Sequence, residues 1–243
     1  MSFATFLHGI TLRILGRIVQ FWNPDGDDLA WLDPPEDPRD TCAWDRYWDG
    51  LIEHGTGPPL FDLFCDDRPL INAMEGRESV RILCAANGFS MEPRALAAGG
   101  CAVTALDASH RALEIAQTFP PETDVLRRFI DPTMRRSGGS VDWVQGDVFD
   151  RATCPGPFDI VIERRTAQLY APVDRMAFLD ALAERTAADG LLLTHYHCGS
   201  WKPGKQLEHA SQKWATKSGW AKWTGHLESK PPGRAVWLLT TTG

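Results

Sequence analysis

The sequence predicts an α/β domain built on a mostly parallel sheet. From residue 79 onward, short apolar runs alternate with amphipathic stretches, and the last two strand-like runs are joined only by Lys230-Pro231-Pro232-Gly233. The alternation is that of βαβ units, whose crossovers force parallel pairing. The final connection has no room for a crossover helix, so its two runs pair antiparallel. Together they predict a seven-stranded sheet with an antiparallel C-terminal hairpin and helices on both faces.

Residues 3–22 are largely apolar, but Arg13 and Arg17 interrupt them and no small-residue cleavage site follows. The uninterrupted stretch is too short for a bilayer span or a signal peptide. Its helical spacing predicts an amphipathic helix that packs on its own domain, with weak peripheral membrane contact as the alternative. Residues 23–40 are rich in Pro, Gly and Asp and read as a linker. Residues 41–55 and 58–75 carry helical periodicity, with Trp44, Trp48 and Leu51 on one face. Residues 1–78 are therefore expected to form a helical N-terminal extension or lid, and residues 79–243 the main domain.

Strands are expected at 80–84, 102–107, 141–145, 158–163 and 191–196, with the hairpin from 220–227 and 235–242. Helices fill 91–98, 109–118, 173–187 and 205–218, the second opened by Ser109 as N-cap.

The 243 residues suit one α/β domain, and 43% hydrophobic with 23% charged residues allows a sizeable core. A net charge of -7 gives no basic field for a polyanion, so nucleic acid is not an expected partner. The six cysteines are scattered without a Cys-x-x-Cys pair, which argues against a structural metal site or a disulfide framework. Reduced thiols in a cytoplasm are the simpler expectation.

The stretch 80–90, continued by Leu96-Ala97-Ala98-Gly99 and by Val103 through Ser109, resembles the front half of class I S-adenosylmethionine-dependent methyltransferases. Gln145-Gly146-Asp147-Val148, then Phe158-Asp159-Ile160-Val161, then Ala188-Asp189-Gly190-Leu191 are similar to that family's next three strand signatures, in order. The resemblance covers roughly residues 79–243 and implies a Rossmann-like fold, S-adenosylmethionine as cofactor, and methyl transfer to a small-molecule acceptor with an O, N or S nucleophile. A second resemblance, to thiopurine S-methyltransferase-like enzymes, rests on Trp44-Asp45-Arg46-Tyr47-Trp48-Asp49-Gly50, Glu163-Arg164-Arg165-Thr166-Ala167 and Asp174-Arg175.

The resemblance implies a cofactor site made of Cys84, Ala85, Ala86, Asn87, Gly88, Asp107, Ala108, Asp147, Val148 and Glu163. Asp107 ends a strand about 20 residues after the loop, where an acid serves ribose hydroxyls. Asp147 and Val148 would serve the adenine. The loop also departs from the family: Cys84 stands where an acid is usual, Ala86 replaces the first glycine and Ser90 the last. Alanine forced to positive φ costs on the order of 1 kcal/mol.

Ligands of open α/β sheets sit outside the carboxyl ends of the strands. His195 and His197 end the fifth strand and titrate in the range of a general base, and Glu163 ends the fourth, so these three are the candidate catalytic groups. Trp44, Trp48, Arg164, Tyr196 and Trp201 are the candidate acceptor contacts. A guanidinium fork at Arg164 suits an anionic acceptor, and an ion pair with Glu163 or with a helix acid is the alternative. Two other functions stay open at this point: a catalytically silent binding or scaffold domain, suggested by the altered loop, and an NAD(P)-dependent oxidoreductase, since an acid ending the second strand serves that ribose too.

Overall fold

The computed structural model describes residues 35–53, 70, 74, 77, 79–90, 92–118, 138–164 and 166–197, and the strand backbone of 222–228 and 234–240. The expected helices at 3–22 and 205–218, most of the one at 58–75, and the hairpin linker lie outside the described residues.

Five strands pair in parallel: β1 (Arg81–Ala85), β2 (Ala102–Asp107), β3 (Ser140–Gln145), β4 (Phe158–Arg164) and β5 (Thr186–His197). Two further strands, β6 (Lys222–Glu228) and β7 (Arg234–Thr240), pair antiparallel to each other, and β7 runs antiparallel to β5. The order is β3-β2-β1-β4-β5-β7-β6. Connections run outward in one direction from β1 to β3 and in the other from β4, so the order reverses between β1 and β4. Such a reversal opens a crevice at the carboxyl ends of the strands, where a ligand is held.

The described helices are α1 (Thr41–Glu53), α2 (Glu92–Ala98), α3 (His110–Thr118) and α4 (Pro172–Ala183). Because successive strand residues point to opposite faces, β1 and β4 feed two separate cores. Leu83, Val161 and Leu192 pack with Phe178, Leu179 and Leu182 of α4. Ile82, Ile160, Ile162 and Leu193 pack with Ala95 and Leu96 of α2 and with Leu70 and Met74. Both faces are covered, which is why these strands read as near-continuous apolar runs. Burying each such side chain contributes about 1.5–3 kcal/mol.

Most boundaries agree with the sequence expectation to within a residue or two. The exception is the α4–β5 junction. The helix expected to reach residue 187 ends at Ala183, and β5 begins at Thr186. Its register jumps from Phe158↔Thr186 to Ile160↔Leu191, so the residues between the expected helix and the expected strand form a bulge inside it. Gly190 permits that bulge: a Cβ there would stand 2.9 Å from the carbonyl oxygens of Ala187 and Asp159.

Candidate functional site

The turn after β1 is wound by two left-handed residues, Ala86 at φ 49° and Gly88 at φ 56°. The first departs from the usual glycine, and its Cβ carries the steric cost of that region. The backbone N–H of Asn87 donates to the carbonyl of Leu106 at 3.1 Å, and the Asn87 side-chain amide donates to the carbonyl of Gly88 at 2.9 Å. Ser90 Oγ accepts the Glu92 N–H at 3.1 Å at the start of α2.

Asp107, at the end of β2, holds this turn from below. Its Oδ2 accepts the Gly88 N–H at 2.7 Å and its Oδ1 the Ser109 N–H at 2.8 Å. Burial pushes its carboxyl up to about 6, against the pull of the Gly88, Ser109 and Ala108 N–H groups; the nearby Asp45 carboxylate pushes it up further. Each carboxylate oxygen has two lone pairs, so the group retains capacity for hydroxyl donors.

Helix α1 lies against the same turn. The Trp48 indole sits where a Cβ on Gly88 would come within 3.2 Å of it. The missing side chain of Gly88 makes room for Trp48. Trp48 also meets Phe89 edge to face at 5.0 Å and stacks on Trp44 at 5.6 Å. Trp44 donates its Nε1–H to the Pro38 carbonyl at 3.0 Å, while the buried Trp48 Nε1–H has no partner. Both tryptophans, expected at an acceptor, are thus packed in α1, with Trp48 directly on the loop.

Polar contacts fix α1 to α3. Asp45 Oδ1 accepts the Ser109 hydroxyl at 2.5 Å and the Arg111 N–H at 3.2 Å, and Asp49 pairs with Arg111 at 2.5 Å. Ser109 Oγ in turn accepts the Ala112 N–H at 3.0 Å, the N-cap bond expected from the sequence.

Glu163 lies near the carboxyl end of β4 at the switch point, in register with Ala85 of β1 and Thr194 of β5. It is fully buried. Oε2 accepts the N–H groups of Thr166 and Ala167 at 3.0 and 3.1 Å, and Oε1 has no partner. Burial pushes the carboxyl up to about 7, opposed by those two N–H groups and by the charges of Arg164 and Arg175. Thr194, 1% exposed, also has an unpartnered hydroxyl.

Arg164 takes the alternative to an acceptor contact. Its guanidinium engages Glu92 of α2 through two bonds, one from Nε at 2.7 Å and one from the second nitrogen. The expected anion-binding fork is occupied here by a helix acid. Cys84, buried beside this pair, has its thiol pushed up by burial, with the Glu92 charge adding to the shift. It is a buried core residue whose thiol stays protonated, unlike a reactive thiolate.

Asp147 follows β3, its Oδ1 accepting the Phe149 N–H at 2.9 Å in a tight turn that buries Val148. Tyr170, after β4, stacks on Phe178 at 5.0 Å and lies near Asp147 and Asp107. His195, Tyr196 and His197 complete β5, where His195 is in register with Arg164 and Val236; their side chains lie outside the described residues, as do Trp201 and Arg165. The switch point therefore brings together Ala85, Ala86, Asn87, Gly88, Asp107, Ala108 and Glu163, with Asp147 and Val148 at the neighbouring strand end.

The sequence pattern assigns no role to Thr194, Glu92, Asp45 or Tyr170. Thr194 carries a signal, a polar residue directly after the apolar run Leu191-Leu192-Leu193. The others join elements far apart in sequence. Among the described residues no cluster of His, Cys, Asp or Glu is arranged to hold a metal ion, and no helix is long and apolar enough to cross a membrane.

No family model matches the sequence, and no curated protein matches it. Solved structures do resemble it. A magnesium protoporphyrin IX methyltransferase from Synechocystis, solved with bound S-adenosylmethionine, is 15% identical, covering 83% of this chain and 79% of its own, with a TM-score of 0.51. A S-adenosylmethionine-dependent methyltransferase from Methanosarcina mazei is 12% identical over 75% of this chain and 100% of its own, with a TM-score of 0.56. At such identities the likeness shows the fold: a five-stranded parallel sheet with helices, as in Rossmann-like methyltransferases.

Proposed function

We propose that this chain, which carries the methyltransferase fold, binds S-adenosylmethionine across the carboxyl ends of β1 to β4 and transfers its methyl group to a small-molecule acceptor. The observation that carries this reading is the bond between Asp107 and the Gly88 N–H, which locks the β1 turn and the β2 acid into one surface. The residues fit such a group. Asp107 keeps lone pairs for ribose hydroxyls, the turn at 86–88 bends by positive φ, and Glu163 and Thr194 offer buried polar atoms lacking partners. The closing pair β6–β7 fits the seven-stranded form of that fold, and the net charge of -7 favours a small acceptor over a polyanion.

S-adenosylmethionine, when bound, would supply an electrophilic methyl carbon to the acceptor's lone pair, with the thioether as leaving group. What the chain does is hold the partners. Asp107 fixes the sugar end, the loop from Ala85 to Gly88 sets the distance of closest approach, and α1 with Trp48 backs that loop against displacement. Positioning of this kind lowers the barrier by restricting two reactants to a reactive geometry. Where the acceptor's proton must leave, His195 or His197 at the β5 end is the candidate base. The contact of α1 with the cofactor loop also supports the thiopurine S-methyltransferase-like lead-in as the finer reading.

A panel of melting curves with S-adenosylmethionine, S-adenosylhomocysteine, NAD and NADP tests this. The two sulfur cofactors are expected to raise Tm and the two nicotinamides to leave it unchanged; no shift at millimolar S-adenosylmethionine overturns the reading. Labelled cofactor offered with thiols, phenols, amines and carboxylates then identifies the acceptor class. One observation favours a second reading, a silent binding domain: Trp48 fills the space at Gly88. No binding at millimolar S-adenosylmethionine, with Asp107→Ala indistinguishable from wild type, would select it.

A further inference from the structure

We propose that Glu163 Oε1 and Thr194 Oγ1 together anchor the α-ammonium group of the cofactor's amino-acid portion, beside the turn at Ala85 and Ala86. The inference rests on the cofactor reading above and assigns a charged group of the ligand that this reading leaves without a partner.

The acids around the crevice leave little choice. Both oxygens of Asp107 are bonded to N–H groups, Glu92 is paired with Arg164, and Asp45 caps α3. The acid usual at the end of β1 is absent, Cys84 standing there. Glu163 alone of these presents a buried carboxylate oxygen with nothing bonded to it. Leaving such an atom unsatisfied costs about 1–3 kcal/mol, and more for a charged one, so a bound donor recovers a substantial free energy.

Thr194 stands in register with Glu163 on the neighbouring strand. Paired positions in adjacent strands project from the same face about 5 Å apart, so one small group can reach both side chains. An ammonium suits them better than a hydroxyl: it has three N–H donors, enough for both oxygens, and its charge offsets the penalty of ionising a buried carboxyl. The sheet order says which end of the ligand arrives there. With the base at Asp147 on β3 and the ribose at Asp107 on β2, a ligand running along the strand ends passes β1 and brings its amino-acid end to β4.

Calorimetric titration of the full chain with two probes tests this: S-adenosylhomocysteine, and 5′-methylthioadenosine, which shares the adenosine and thioether but has no amino-acid portion. Glu163→Gln and Thr194→Val are each expected to weaken S-adenosylhomocysteine about tenfold or more, the scale of a charge-assisted hydrogen bond, and to leave methylthioadenosine binding unchanged. Either variant alone carries the test where the other fails to fold. At neutral pH, binding of S-adenosylhomocysteine to the wild type should release protons, because a carboxyl raised to about 7 by burial must ionise to meet the ammonium. Heats compared in two buffers of different ionisation enthalpy measure that release, which Glu163→Gln should abolish. Equal weakening of both probes, or unchanged S-adenosylhomocysteine affinity, overturns the anchoring role while leaving the cofactor reading in place. Failure of the wild type to bind either probe overturns both.

Discussion

The Asp107 carboxylate accepts the backbone N–H of Gly88 at 2.7 Å, joining the end of β2 to the turn after β1 across 19 residues of chain. One side chain thus shapes the loop and serves as the ribose acid of the proposed site. Asp107→Ala strands the Gly88 and Ser109 N–H groups at about 1–3 kcal/mol for a buried donor. It is expected to lower Tm and to abolish measurable S-adenosylmethionine binding by calorimetry. Asp107→Asn, which keeps one acceptor oxygen, should retain most of the stability and lose at least about tenfold in affinity.

Trp48 and Gly88 form a second coupled pair. Gly88→Ala places a methyl group 3.2 Å from the indole and forces a non-glycine residue to φ 56°, at a combined cost of about 1–3 kcal/mol. In a Trp48→Leu background only the backbone strain should remain. A double-mutant cycle read by denaturant unfolding is expected to show coupling of at least about 0.5 kcal/mol; strict additivity would show that the two do not press on one another.

Ala86 stores strain at φ 49°. Ala86→Gly is expected to stabilise the folded chain by up to about 1 kcal/mol, the relief of the Cβ contact exceeding the entropy added to the unfolded chain. Chemical denaturation at neutral pH measures it. A decrease in stability would show that the Cβ makes a compensating contact with the core beside it.

The pH dependence of stability has a defined sign. Glu163 is raised from the ordinary 4.5 to about 7 by burial. The folded state therefore binds more protons than the unfolded one between those values, and stability falls as pH rises from about 4.5 through 7, then levels off. Asp107, raised from 3.8 to about 6, adds a fall over the lower part of that window. Glu163→Gln keeps an acceptor for Thr166 and Ala167 and has nothing to ionise. It should be more stable than wild type at pH 8, on the order of 3 kcal/mol, and close to it at pH 4.5. Melting curves across that range decide it.

The α/β alternation, the strand positions and the Ser109 cap were legible in the sequence because each follows from local chemistry: apolar periodicity, strand-end acids and a serine before a helix. So was Asp107 as the acid closing β2. Local pattern could not show that Arg164 is held by Glu92, 72 residues away, or that Asp45 caps a helix 66 residues on from its own. Such partners are chosen by which strand ends the sheet order places side by side. Gly88 makes the same point within one residue, since the sequence required a glycine there and only packing decided that Trp48 would fill its missing side chain. Glu163 and Thr194 lie 31 residues apart by their numbers and become neighbours because β4 and β5 pair in register. Their identity as polar residues was written in the chain; that each keeps a polar atom buried and unpartnered was decided when the surrounding core closed over them.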